Sequence, residues 1–130
     1  MMRLDGLILS ALISTLPAAA IAADSSVDPS LKRLDPQTRL VQVCDLAVMD
    51  ETSSRKDGVT ERAFIDALHR AHIEGDTAHG DGGAFRRRGE WYEFSYSCTV
   101  TPDHMRTTEL TVEVKRRVPH AEWAAKDLYP

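Results

Sequence analysis

Two short basic runs, Arg86-Arg87-Arg88 and Lys115-Arg116-Arg117, are the residues of this sequence best suited to recognise a ligand. A guanidinium presents a planar fork of donors that matches phosphate, sulfate or carboxylate, so clustered arginines suggest an anion site. Trp91 stands close behind the first run. An exposed indole there would offer a face for cation–π contact or an anchor for a protein partner. Two other groupings could do chemistry. Glu93 and Glu113 would form a carboxylate pair if their segments were neighbours, and such pairs do acid/base work when their surroundings separate the two pKa values. His69, His72, Asp76 and His79 bring metal-ligating types close in sequence, but without a recognised ligand spacing. There is no G-x-S-x-G, no H-E-x-x-H and no phosphate-binding glycine loop. The expectation is a protein with no catalytic residue, no metal and no cofactor.

Whether the basic runs meet depends on the strands that carry them. From Trp91 to Val100, Tyr92, Phe94, Tyr96, Cys98 and Val100 alternate with Trp91, Glu93, Ser95, Ser97 and Thr99, the period of a half-buried strand. Thr107 to Val118 repeats the alternation with Leu110, Val112 and Val114. The intervening Thr101-Pro102-Asp103-His104-Met105 is turn chemistry, so the two strands should form a hairpin. Matching inward residues pairs Cys98 with Thr108, Tyr96 with Leu110, Phe94 with Val112 and Tyr92 with Val114. A turn at Arg88-Gly89 then sets Phe85 against Tyr92. In this register both basic runs reach the same end of the sheet. Arg86 and Lys115 flank a solvent-facing Trp91, Glu90 pairs with Arg116, and Glu93 faces Glu113. The opposing reading is a solvated edge whose charges and arginine stems cover the sheet.

The rest of the chain must build a core behind that sheet. Asp35-Pro36 is a helix start, an acceptor side chain followed by a proline whose missing N–H costs nothing there. Leu40, Val43, Cys44, Ala47 and Val48 follow at helical spacing. Asp50 to Gly58 is a polar loop. A second helix is expected from about Thr60 to His72, with Phe64, Ala67, Leu68 and Ala71 on one side. A short strand is expected near Thr77 to His79, and Pro119 to Tyr129 reads as a terminal helix docking Trp123 and Leu128. The fold class is therefore α+β. It has two N-terminal helices on one face of an antiparallel meander of three to four strands, a short C-terminal helix and one disulfide.

The first 22 residues stand apart. Arg3 precedes an apolar run from Leu7 to Leu16, then Pro17 and an alanine-rich end, the layout of a secretory signal peptide cut after Ala22 or Ala23. Residues 23–33 read as a flexible lead-in and residues 34–130 as a single domain. Cys44 and Cys98 are the only cysteines, and an even count in an exported chain predicts a disulfide between them. With 16 Lys+Arg against 20 Asp+Glu, the net charge of −4 argues against a nucleic-acid-coating protein. No stretch reaches the roughly 20 apolar residues of a membrane span.

Three segments, Leu34 to Met49 (LDPQTRLVQVCDLAVM), Gly82 to Tyr92 (GGAFRRRGEWY) and Cys98 to Met105 (CTVTPDHM), together resemble the domain-of-unknown-function 930 family of alphaproteobacterial exported proteins. The resemblance covers most of residues 31–129. It implies a Gram-negative host and the periplasm, and carries no catalytic residue with it. Both cysteines fall inside these segments, in keeping with the pairing. The function expected from the sequence is a non-enzymatic periplasmic binding module whose basic sheet end takes an anionic envelope component. The alternatives are a protein-interaction or inhibitor module anchored by Trp91, and a hydrolase-like envelope enzyme using Glu93 and Glu113 or the His69, His72 and His79 group.

Overall fold

The computed structural model describes residues 28–130; the signal peptide expected at 1–22 lies outside them. The chain is α+β, with one long helix, a five-stranded antiparallel sheet and a short C-terminal helix. Helix α1 spans Pro36–Thr52 and starts where the sequence places it. Asp35 accepts from the Thr38 amide at 3.1 Å and also bonds the Thr38 hydroxyl, while Pro36 takes the first turn. Residues 28–33, the described part of the expected lead-in, are docked instead. Pro29–Arg33 is a 3-10 turn with Leu31 buried, and Arg39 holds the carbonyls of Leu31, Lys32 and Leu34.

The second expected helix does not form. Thr60–Phe64 is strand β1, the chain from Ile65 to Ala71 is turn and loop, and His72–Glu74 is strand β2. The helical spacing of Phe64, Ala67, Leu68 and Ala71 is misleading because these residues serve two cores. Ala63, Ile65 and Ala71 join the cluster beneath α1, while Ala67 and Leu68 join a cluster on the opposite face of the sheet. Asp45 on α1 accepts from the Ile65 amide at 2.8 Å, which draws the chain away from helical closure. The edge of the sheet supplies the backbone partners that a helix would have supplied.

Strand β3 covers Thr77–Arg87, far longer than the expected Thr77 to His79. β1 pairs with its second half and β2 with its first, so the two short strands make one interrupted edge. The ladder to strand β4 (Glu90–Val100) breaks between Gly80 and Gly83. A Cβ on Gly83 would sit 2.4 Å from the Phe94 ring, and one on Gly82 would sit 2.4 Å from the His69 backbone nitrogen, so both sites are held to hydrogen by close approach. The β3–β4 turn falls at Arg88-Gly89, with both residues at positive φ (52° and 75°), the geometry whose twist suits a two-residue hairpin.

Strand β5 (Thr107–Arg117) closes the other edge, in the order β1-β3-β4-β5. Its register lies two residues from the expected one. Cys98 opposes Leu110, Tyr96 opposes Val112 and Phe94 opposes Val114. The even shift leaves inward residues inward. The connection is longer than the simple hairpin count assumes, because Thr101 N–H donates to the Arg106 carbonyl and His104 adopts φ of 58°. Both ring nitrogens of His104 meet acceptors, the Pro36 carbonyl at 2.6 Å and Asp76 at 2.9 Å, tying the loop to α1 and to the β2–β3 turn.

Two clusters sandwich the sheet at one end. Beneath α1 lie Leu40, Val43, Cys44, Val48, Ile65, Phe85, Phe94, Tyr96, Cys98 and Val100. Cys44 and Cys98 are bonded there, joining α1 to β4 as the sequence predicts. On the other face, Val118 and the C-terminal segment, with helix α2 (His120–Trp123), pack Trp123 and Leu128 on Ala84 and Trp91.

Candidate functional site

The sheet brings both basic runs to one end. Arg87 opposes Glu90, Arg86 opposes Trp91, Tyr92 opposes Arg117 and Glu93 opposes Arg116. What distinguishes the six side chains is their partners. Arg86 lies 3.2 Å from Glu61, Lys115 lies 3.3 Å from Glu113, and Arg116 is clamped by Glu93 at 2.8 Å and by both oxygens of Glu122. The Glu122 and Glu93 carboxylates hold the Arg116 guanidinium above its ordinary range, and Arg116 in turn holds the Glu122 carboxyl below its own.

The other three are differently placed. Arg87 donates to the Thr52 carbonyl at the end of α1 at 3.0 Å and lies over the rings of Phe85 and Tyr92, 5.3 and 5.2 Å from their centroids. Arg88 donates to the Lys56 carbonyl at 3.2 Å. Arg117 is 63% exposed and reaches only 4.0 Å from Glu90, whose oxygens also accept from His120. The cation–π contact therefore belongs to Arg87 with Phe85 and Tyr92, and not to Arg86 and Lys115 with Trp91.

Trp91 is not an exposed anchor. It is 1% exposed, its Nε1–H donates to the Tyr129 carbonyl at 2.8 Å, and its ring stacks with Phe64. The C-terminal segment folds over the one apolar side chain on the outward side of β4, a return that strand alternation does not encode. The Glu90–Arg116 pair is likewise replaced, by Glu90 with Arg117 and His120. Glu93 and Glu113 are not opposite one another. Glu113 faces Ser95 because β5 lies two residues from the expected register, and the break between Glu93 and Phe94 adds a further residue to β5 and sets Glu93 against Arg116. His72 and His79 do oppose each other, with ring centroids 4.7 Å apart, but no metal-holding group of three exists among the described residues.

A family model described as Domain of Unknown Function (DUF930) matches residues 31–128. The chain belongs to this family. Neither the curated proteins nor the solved structures contain a match to it. In this DUF930 chain, Cys44 and Asp45 sit side by side on α1, and the second of them is a polar group that sequence patterning passes over. Asp45 is 6% exposed, and burial pushes its carboxyl up to about 7, with Asp66 adding to the effect and the Ile65 N–H opposing it. Across the core the Tyr96 hydroxyl is buried with no hydrogen-bond partner among the described residues, and burial together with Asp66, Asp45 and Asp81 raises its pKa. A charged residue on the apolar side of a helix is the only sequence signal of this pair, since Asp45 adjoins the buried Cys44.

Asp45 gives the DUF930 domain a pH response of known sign. A carboxyl whose folded pKa lies above its unfolded value keeps a proton in the native state that the unfolded chain releases, so stability falls as pH rises from about 4 to about 7 and then levels. Urea unfolding at pH 5 and pH 8 should show that loss in the native sequence. Asp45→Asn, which keeps an acceptor for Ile65, should remove that loss and leave the variant the more stable of the two at pH 8.

Proposed function

We propose that this chain is a non-enzymatic binding module of the cell envelope, exported by a cleavable signal peptide at residues 1–22 and acting in the periplasm. Its ligand is a phosphate, sulfate or carboxylate group held at the basic end of the sheet. The observation that carries this reading is the division of the six cations. Arg86, Lys115 and Arg116 are committed to carboxylates, whereas among the described residues Arg87 and Arg88 donate to backbone carbonyls and Arg117 has a distant, shared counter-ion. A guanidinium on a neutral carbonyl keeps its charge available, and an arriving anion need not displace a salt bridge to reach it. Arg87 is also braced by the Phe85 and Tyr92 rings, which limits the entropy lost on binding. The Cys44–Cys98 bridge supports an oxidising compartment. Separation of Glu93 from Glu113 favours binding over hydrolysis, and burial of Trp91 removes the feature that pointed to a protein anchor.

The test is calorimetric titration with inorganic pyrophosphate and with a sulfated oligosaccharide, at low and physiological salt. Binding should weaken with salt and fall about ten- to a hundredfold in the Arg88→Ser/Arg117→Ser variant, the loss expected for two solvent-exposed bonds of about 1 kcal/mol each. Arg116→Ser should change it far less. Failure of both anions to bind, or affinity unchanged in the double variant, would overturn the proposal.

A further inference from the structure

We propose that two copies of this chain associate edge to edge through β5, antiparallel about a two-fold axis at Val112, so that one sheet runs through both. β5 is the terminal strand of the sheet, and its outer edge has no strand partner among the described residues. Thr107–Arg117 is a long edge, more than twice the length of β1 at the opposite side. Its inward row is Leu110, Val112 and Val114. Leu110 and Val112 are only partly buried against the core, and Val114 is 51% exposed although it opposes Phe94. An apolar row left at an open edge is the surface that strand addition covers.

Charge on an edge strand ordinarily keeps copies apart. The charges of β5 are instead sorted by sign along its length. The two acidic residues, Glu109 and Glu113, come before the three basic ones, Lys115, Arg116 and Arg117, which end the strand. A two-fold axis normal to the sheet keeps the inner faces on one side, which allows only registers in which like faces oppose. Centred on Val112, the regular stretch from Leu110 to Val114 overlaps its copy, with Glu109 and Lys115, the extra residue of the break beside Glu93, at its borders. Val112 meets itself, Leu110 meets Val114, Glu109 meets Lys115 and Thr111 meets Glu113. No like charges oppose. Centring on Thr111 would set Glu109 against Glu113, and centring on Glu113 would set that residue against itself, both penalised. The two register breaks within the β4–β5 ladder, beside Val100 and beside Glu93, fall near the ends and leave Glu109 to Val114 regular.

Specific interfaces bury about 1,200–2,000 Å², more than one strand edge supplies, so the association is concentration-dependent. The purified chain, with Cys44–Cys98 oxidised and confirmed by peptide mapping, is tested in two ways. Val112→Cys should form a disulfide-linked dimer under mild oxidation. Thr108→Cys should not, because its two copies would stand about 26 Å apart along the strands while a disulfide needs Cα atoms within about 7 Å. Independently of any cysteine, sedimentation equilibrium should show dimerisation weakened by Glu109→Lys and by Lys115→Glu, and recovered when both are combined. Cross-linking of Val112→Cys no greater than that of Thr108→Cys would overturn the proposal. So would a combined charge reversal that fails to recover association.

Discussion

Replacing Cys44 and Cys98 together by alanine should lower the free energy of unfolding by about 4 kcal/mol, the loop-closure entropy released to the unfolded chain when a crosslink of this span is removed. The two residues are 54 apart in sequence and both are fully buried between α1 and β4. A domain of this size holds on the order of 5–15 kcal/mol in total, so the loss is a large share of what keeps it folded. Urea melts of the oxidised protein, the reduced protein and the Cys44→Ala/Cys98→Ala variant measure it. Reduction and substitution should agree in sign, with the variant further lowered by the volume it leaves empty in the core. A midpoint unmoved by reduction would mean that packing of Leu40, Val43 and Val48 on the sheet holds α1 without the bridge.

Trp91→Ala should cost about 3–5 kcal/mol, as expected for emptying a fully buried aromatic site. The indole touches Phe64 on β1, lies among Val118, Trp123 and Leu128, and fixes the Tyr129 carbonyl through its Nε1–H. Its removal should therefore loosen the C-terminal segment first, and amide exchange from Val118 onward should accelerate more than in β4. Trp91→Phe separates the two roles. It keeps a ring beside Phe64 and loses the hydrogen bond to Tyr129, so a cost of about 1 kcal/mol is expected. An exposed interaction anchor would behave in the opposite way, with stability near that of the native chain and only partner binding lost.

The elements that were legible in the sequence are those governed by local chemistry. Asp35-Pro36 announces α1 because a cap needs only its own residues, and Arg88-Gly89 announces the β3–β4 turn because that backbone demands positive φ. The disulfide followed from having two cysteines and one plausible partner each. What failed did so where a residue's environment comes from a distant segment. Thr60 to His72 has a helical apolar spacing, yet Ile65 and Leu68 serve opposite faces of the sheet, and no window of sequence contains both cores. Trp91 reads as outward by strand alternation, and it is outward, but α2 and Leu128 return to cover it. The register of β5 depends on how Thr101 to Arg106 closes, which rests on bonds such as Thr101 to Arg106 and His104 to Pro36 and Asp76. At the basic end, the sequence located all six cations together but could not apportion their counter-ions. That apportioning, visible only in three dimensions, separates Arg87, Arg88 and Arg117 from the rest.

The bridge between α1 and β4 also fixes an order of events for a chain made from its amino terminus. α1 is complete while Phe85, Phe94 and Tyr96, the side chains that will cover its apolar face, are still to be added. Besides the helix's own residues, only Leu31, Ala63 and Ile65 of the buried cluster beneath it are made before β3, and the aromatic side chains follow with β3 and β4. The newborn helix already has Arg39 on the carbonyls of Leu31, Lys32 and Leu34, and its first contacts with the chain that follows are polar, Thr52 and Ser53 with Thr60 and then Asp45 with Ile65. Cys44 has no partner until Cys98 on β4 has been added, 54 residues later. Until then, whatever shelters Leu40, Val43 and Val48 from other unfinished chains decides how much of the protein reaches its final form.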